Sequence, residues 1–432
     1  MLARMSIDIR IRGAAVLFTA VVVTACSSSE PGGTGGTGTP ANTSAAWTVG
    51  VEQTATPAGP ESSEPQLTVS SRGVILSWIE RTPKKVELKF SERTASGWTP
   101  ARTVPSGDKW FLSYADTPTV MRLSNGTIVA NWLEETDAMR EGYNLRLTYS
   151  TDEGKTWARS FLPHHDNTKT QHGFASPFEL PGNGFGVIWL DARANELDLD
   201  NPDGPAITLR YASFDAAWKQ TADTEIDAKV CECCSTTAVV TADGPLAAFR
   251  DRSDKEIRDI AVSRFENGTW TASAPLHNDN WEVYACPVNG PMLSAAGRSV
   301  AAAWFTVKND QGQAYAAFSS DAGRTWGTPI RLDEAGSLGR VDVEMLDDGS
   351  AVATWVEFAG GKGQFRMRRI EQSGAKSPAV SVAGVSGGRA SGFPRVARQG
   401  EDLVFAWAES AAEDAGDGTG LIVRTAVARV PK

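Results

Sequence analysis

The chain has 432 residues, 22% of them charged, with a formal net charge of −10. That balance excludes nucleic acid as the main partner, because no basic surplus exists to neutralise phosphates. A hydrophobic share of 41% supports a large core, and 41 glycines with 14 tryptophans suit a β-rich fold of tight turns and large aromatic packing residues.

At the N-terminus Arg4, Arg10 and Arg12 precede an apolar run from Ala14 to Val23. The run is too short for a membrane span and reads as a signal peptide over residues 1–25. Val23-Thr24-Ala25-Cys26 resembles a bacterial lipobox. The resemblance implies cleavage before Cys26 and its acylation. It places a lipoprotein in the cell envelope, on the periplasmic side of the outer membrane or at the cell surface, with the bacterial membrane as a partner through the anchor. Residues 26–45, rich in Ser, Gly, Thr and Pro, read as a flexible tether. The folded part is expected over 46–432.

From there one pattern recurs seven times. An apolar strand, usually after a Gly turn, ends on an aromatic residue: Trp78, Trp132, Trp189, Phe249, Trp304, Trp355 and Trp407, at intervals of 51 to 60 residues. A fixed period of this length marks blades, each burying its faces against its neighbours. Each repeat reads as four short strands, A to D. In the second repeat they are Thr117–Leu123, Thr127–Glu134, Leu145–Ser150 and Lys155–Phe161. The seventh repeat stops after its third strand, at Leu421–Val430, and Ala46-Trp47-Thr48-Val49 reads as the missing fourth. Such pairing closes the ring and removes the exposed edge. The expected fold is all-β: a single β-propeller of seven four-stranded antiparallel blades, with six as the alternative, and a monomer.

Between the third and fourth strands of the second repeat lies Ser150-Thr151-Asp152-Glu153-Gly154-Lys155-Thr156-Trp157. The fifth repeat carries the same octet, Ser319-Ser320-Asp321-Ala322-Gly323-Arg324-Thr325-Trp326. This S-x-D-x-G-x-T-W string resembles the Asp-box (BNR repeat) of the sialidase, or neuraminidase, superfamily. Its logic is a turn: Ser and Asp bond nearby backbone, Gly supplies a positive φ, and Trp packs between layers. The resemblance implies a sialidase-like propeller, glycan-active or glycan-binding at its central mouth. In that family three arginines clamp the sialic acid carboxylate, a Tyr–Glu pair acts as nucleophile, and an Asp is the acid/base. Carried onto this chain, the resemblance offers Tyr284 or Tyr114 as nucleophile and Asp116 or Asp191 as acid/base. It offers Arg250, Arg340 and Arg395 as the clamp, with Arg193 and Arg252 also at the mouth. The family's F/Y-R-I-P motif is absent, and the nearest string, Phe393-Pro394-Arg395, runs in the wrong order.

Alternating strands put the D-to-A and B-to-C connections on one rim, where long loops line the central depression. Trp110 and Trp281 fall outside the repeat frame, in D-to-A connections, and each precedes a tyrosine, Tyr114 or Tyr284. They read either as anchors of their own loops or as stacking surfaces for a sugar. The acidic loop Asp198–Gly204 has the composition of a Ca²⁺ site without its spacing and reads as solvated. Six strand ends carry an acid two residues after the aromatic: Glu80, Glu134, Asp191, Asp251, Glu357 and Glu409, with Thr306 breaking the set. Repetition makes these architectural. Blade 4 departs from the frame with Phe249-Arg250-Asp251-Arg252, and such breaks often mark function.

His164, His165, His172 and His277 all fall in or beside D-to-A connections, as do Cys231, Cys233, Cys234 and Cys286. Three readings stay open. The four cysteines form two disulfides that stiffen the mouth, as in many exported proteins, leaving a protein-binding scaffold. Alternatively Cys231, Cys233, Cys234 and Cys286, with His172 or His277, bind copper or zinc. A reactive thiol is the third.

Overall fold

The computed structural model describes residues 47–137, 142–195, 206–334, 336–410 and 420–431. The signal segment, Cys26 and the tether lie outside the described residues, as does the whole acidic loop at 198–204. Among the described residues no helix is long and apolar enough to cross a membrane.

Seven antiparallel sheets follow one another along the chain. Blade 1 runs Ser62–Ser70, Gly73–Thr82, Lys85–Thr94 and Gly97–Trp98. Blade 3 runs His172–Leu180, Gly184–Asp191, Thr208–Phe214 and Gln220–Asp227. In blade 2 only three strands form a sheet, Thr119–Arg122, Ile128–Asp137 and Gly142–Ser150. The expected fourth strand at 155–161 is reduced to a single bridge between Leu147 and Phe161, and its first three residues belong to the octet turn. The last blade is completed by Val51–Thr54, paired with Leu421–Arg429 in the register Val51↔Ala428 to Thr54↔Thr425. The closing strand therefore lies slightly later than Ala46–Val49. Trp47 and Val49 are instead buried in the core between blades 6 and 7.

The first strands of blades 3 to 7 contact one another in succession, and that of blade 1 contacts those of blades 7 and 2, so a ring surrounds a central axis. Each hydrophobic cluster joins two successive blades, as with Trp355 beside Phe318 and Val341 between blades 5 and 6. No blade carries a core of its own, as a repeat fold requires.

The strand-end aromatics are all buried, at 2% exposure or less. A buried indole N–H needs an acceptor. Strand residues i and i+2 share a face, so the acid two positions on can supply it. Trp78 donates to Glu80 at 3.2 Å, Trp189 to Asp191 at 2.7 Å and Trp355 to Glu357 at 2.8 Å. Directly across the ladder from Trp78, Trp132, Trp355 and Trp407 stand Lys89, Arg146, Arg366 and Arg424. Each cation pairs with the acid of its own blade, at 2.6, 2.7, 3.3 and 2.7 Å. In blades 2 and 7 the acid serves the cation alone, and the Trp132 and Trp407 nitrogens have no partner. In blade 5, where Thr306 replaces the acid, the loop residue Asp279 accepts from Trp304 at 2.7 Å.

Both octets fold into the same turn. Ser150 donates to Asp152 and accepts from the Gly154 amide, while the Thr156 amide and hydroxyl both donate to Asp152. Ser319, Asp321, Gly323 and Thr325 repeat every bond. Gly154 at φ 77° and Gly323 at φ 82° take the left-handed conformation that the turn demands. The Thr156 hydroxyl and amide hold the Asp152 carboxyl down at about 2. Slight burial opposes the same effect in Asp321, but the bonds from Thr325 prevail and it too sits at about 2. Because these folded-state values lie below the ordinary 3.8, the stabilisation is complete above about pH 4 and disappears as pH falls toward 2. The double variant Asp152→Asn, Asp321→Asn should therefore unfold at lower urea than wild type at pH 7. The gap should close near pH 2; an equal gap at both pH values would refute this origin.

Candidate functional site at the propeller mouth

The first strands of blades 1, 3 and 6 are each broken by a register shift near their start. At each shift a non-glycine residue takes positive φ: Glu64 at 56°, Phe174 at 53° and Arg340 at 53°. Such bulges re-aim side chains at barrel and propeller rims, and strained backbone of this kind clusters at functional sites.

Glu64 is re-aimed into a pocket of about 370 Å³ between blades 7 and 1, lined also by Arg81, Phe111, Tyr114 and Arg389. Arg81 donates to Ser63 and, at 2.8 Å, to Glu64 Oε1, while Glu64 Oε2 has no partner. Burial pushes the Glu64 carboxyl up to about 7 despite the opposing pull of Arg81. Tyr114 stacks on Phe393, and the exposed Arg389 guanidinium lies 5.5 Å from its ring centre. Arg389 has no carboxylate partner among the described residues.

Beside this pocket a smaller cavity of about 120 Å³ is lined by Asp116, Ser176, Thr236, Met292 and Arg395. Asp116 accepts the Phe174 amide at 2.7 Å. Burial drives its carboxyl up to about 7, and the nearby Glu64 charge adds to the rise. Gly173 permits this approach, because a Cβ there would lie 2.2 Å from Asp116 Oδ2. Burial lowers the Arg395 guanidinium from its usual range, partly offset by Asp342.

The other expected catalytic residues have different partners. Arg250 donates to the carbonyls of Asn289, Arg258 and Phe305, so its fork is committed to main chain. Arg340 is likewise held by Ser391 and by the Gly388 carbonyl. Neither leaves the open fork that a carboxylate clamp requires. Asp191 is fully buried between Trp189 and Arg193, which donates to it at 2.8 and 2.7 Å. Arg252 is bound by Glu232 and Glu256. Tyr284 is 78% exposed and lines none of the pockets described above. Trp110 bonds the Gly107 carbonyl, three residues away in its own loop, while Trp281 packs edge-on against Phe305 and beneath Arg250. Both indoles anchor their own loops.

The sulfurs pair as two disulfides, Cys231–Cys234 and Cys233–Cys286, with Cα separations of 5.7 and 6.1 Å. This is the first of the three readings open from sequence. Cys231, Cys233 and Cys234 lie close enough to share an ion, but metal ligation needs thiolates rather than disulfide sulfur. The structure does not bring the histidines to the sulfurs. His277 faces Asp279 at 3.0 Å, and His172 lies with His164 and Asp166 in a second group able to hold an ion. In that group burial opposes ionisation of Asp166, but hydrogen bonds from His164 and Thr168 and the nearby His172 imidazole hold its carboxyl far below the usual range.

Sequence reasoning passed over Glu64, Arg81 and Arg389. The signal for the first was an acid followed by Pro65 inside an otherwise inward-facing strand. Arg389 follows the Gly387-Gly388 pair in a loop between blades.

No known family and no curated protein matches the sequence. Solved structures do resemble it. The polysaccharide lyase Uly1 matches with a TM-score of 0.50 and 9% identity, over 85% of this chain and 90% of that one. An ulvan lyase of polysaccharide lyase family PL25 matches with a TM-score of 0.48 and 12% identity, over 74% and 80%. The NanB sialidase of Streptococcus pneumoniae matches with a TM-score of 0.45 and 10% identity, over 82% and 83%. The chain shares a propeller fold with Uly1, and at 9% identity the likeness is one of fold alone.

Peptide mapping without reduction should recover Cys233 linked to Cys286 and the 231–234 segment internally closed. Free thiols at these four positions would instead restore the thiolate–metal reading.

Proposed function

We propose that this protein is an exported, lipid-anchored propeller that binds an acidic glycan at its mouth and cleaves it by acid–base chemistry. The observation that carries the reading is the pocket holding Glu64, Arg81, Tyr114 and Arg389. Tyr114 and Phe111 offer flat faces for a sugar ring, a common use of aromatic side chains. Arg389 offers an exposed fork for a carboxylate or sulfate. Glu64, at about 7, is poised to donate or accept a proton at neutral pH. The lipobox-like string ending at Cys26 supports export and anchoring at the cell envelope.

The reading replaces the sequence-derived clamp of Arg250, Arg340 and Arg395 with Arg389, and pairs Tyr114 with Glu64. A panel of sialosides and uronate-containing or sulfated polysaccharides, assayed for binding and turnover, tests it. Arg389→Ala should weaken acidic glycans about 10-fold and leave neutral ones unchanged, the size of one lost charge-assisted contact. Glu64→Gln should lower kcat by about 100-fold or more. If Glu64 donates its proton in the rate-limiting step, kcat falls as pH rises through about 7, and the Gln variant loses that limb. Failure of every acidic glycan to bind would overturn the proposal.

A further inference from the structure

The connection between blades 2 and 3 brings two imidazoles and a carboxylate together inside the protein. His164 Nδ1 lies 3.1 Å and His172 Nε2 3.2 Å from the same oxygen, Asp166 Oδ2. The two rings stack with centroids 3.8 Å apart and planes parallel. Side-chain exposure is 2% for His164, 8% for Asp166 and zero for His172.

Asp166 and His172 are oriented from behind. Asp166 Oδ1 accepts both the amide and the hydroxyl of Thr168, which leaves Oδ2 to face the rings. His172 Nδ1 lies 3.3 Å from the Tyr143 carbonyl, an acceptor only. A proton therefore sits on Nδ1, and Nε2 is the ring nitrogen left to face Asp166. At 3.2 Å, Nε2 and Asp166 Oδ2 are joined by a cation held between them, either a second proton or a metal ion. His172 Nε2 and His164 Nε2 are both buried without a hydrogen-bond partner. Arg193 does not fill the role, because its Nε and Nη2 are committed to Asp191 and its approach to Asp166 is 3.4 Å.

We propose that His164, Asp166 and His172 bind a divalent transition ion of the zinc class. Bond lengths of about 2.0–2.2 Å to nitrogen and oxygen set adjacent donors about 3 to 3.5 Å apart, which the two nitrogen-to-oxygen spacings match; the stacked rings turn out of parallel on binding to aim both lone pairs at the ion. The imidazole–carboxylate donor set suits zinc. A carbonyl behind a ligating histidine, fixing its tautomer, is the usual outer-shell support. The enclosure of all three donors assigns the ion a structural role, joining the 2–3 connection to the start of the first strand of blade 3. The site is separate from the four cysteines and from the glycan pocket.

The full-length protein, stripped with chelator and refilled with Zn²⁺ or Co²⁺, tests this. One equivalent of zinc should remain after gel filtration. The Co²⁺ form should show visible d–d bands without the near-ultraviolet thiolate charge-transfer band. Asp166→Asn and His172→Gln should each weaken zinc by more than the roughly 10- to 100-fold cost of losing an outer-shell partner. His165→Ala, on an exposed ring bonded to Gln220, should leave it unchanged. If a ligand variant fails to fold, the wild-type Co²⁺ spectrum decides alone. Absence of stoichiometric zinc, a thiolate band, or zinc retained at full affinity by a folded Asp166→Asn variant would overturn the assignment. The gap would then be filled by a proton only.

Discussion

The buried indole at the end of the second strand in six of the seven blades is the constraint around which the wheel is arranged. Seven wedges meet at one axis, and a large aromatic is needed to fill the space between each pair of neighbours. A tryptophan there carries a donor into a dry interface, where an unmade hydrogen bond costs about 1–3 kcal/mol. The acid two residues on shares its face, and the cation across the ladder neutralises that acid. Glu80 with Trp78 and Lys89, and Glu357 with Trp355 and Arg366, show the full arrangement. Where Thr306 breaks it, Asp279 arrives from a loop to bond Trp304. In four blades the donor thus finds an acceptor, from its own strand or from a loop, whereas Trp132 and Trp407 find none among the described residues.

Blade 4 escapes that constraint, and its rim is put to other uses. Phe249 has no N–H, so Asp251 is released from the role its counterparts fill, and burial raises its carboxyl to about 6. Arg250 turns inward to collect three carbonyls, and its own carbonyl accepts the Cys231 amide. The disulfides and the Arg252, Arg258, Glu232 and Glu256 ion pairs are built on that segment. A break in the repeat thus locates a specialised loop cluster, though its chemistry is bracing.

Burial sets the ionisation of the mouth. Burial resists charge on both Glu64 and Asp116, and Glu64 lies close enough for its charge to raise Asp116 further. Asp166, by contrast, has imidazoles and a hydroxyl converging on it and stays ionised. Carboxyl groups near the mouth are tuned in opposite directions by what surrounds them, Glu64 and Asp116 upward and Asp166 downward.

Much of this architecture was legible in the chain because it repeats. The period of the strand-end aromatics predicts the blades, the paired octets predict two identical turns, and the truncated last repeat predicts closure by the N-terminus. The closing strand was misplaced because Trp47 and Val49 are apolar enough to read as a strand, whereas their burial comes from packing beside the ladder. Site residues were harder to read for a different reason. Glu64 and Arg340 owe their aim to bulges, and a one-residue shift of register changes which face a side chain occupies. Arg250 looked like a free cation until the carbonyls around it were in place. Local composition and periodicity determined the wheel, since strands and turns are specified by nearest neighbours. Which sulfurs pair, which arginines remain open and which imidazoles share one carboxylate were decided only by the tertiary structure, because each depends on distances between segments that the chain order does not fix.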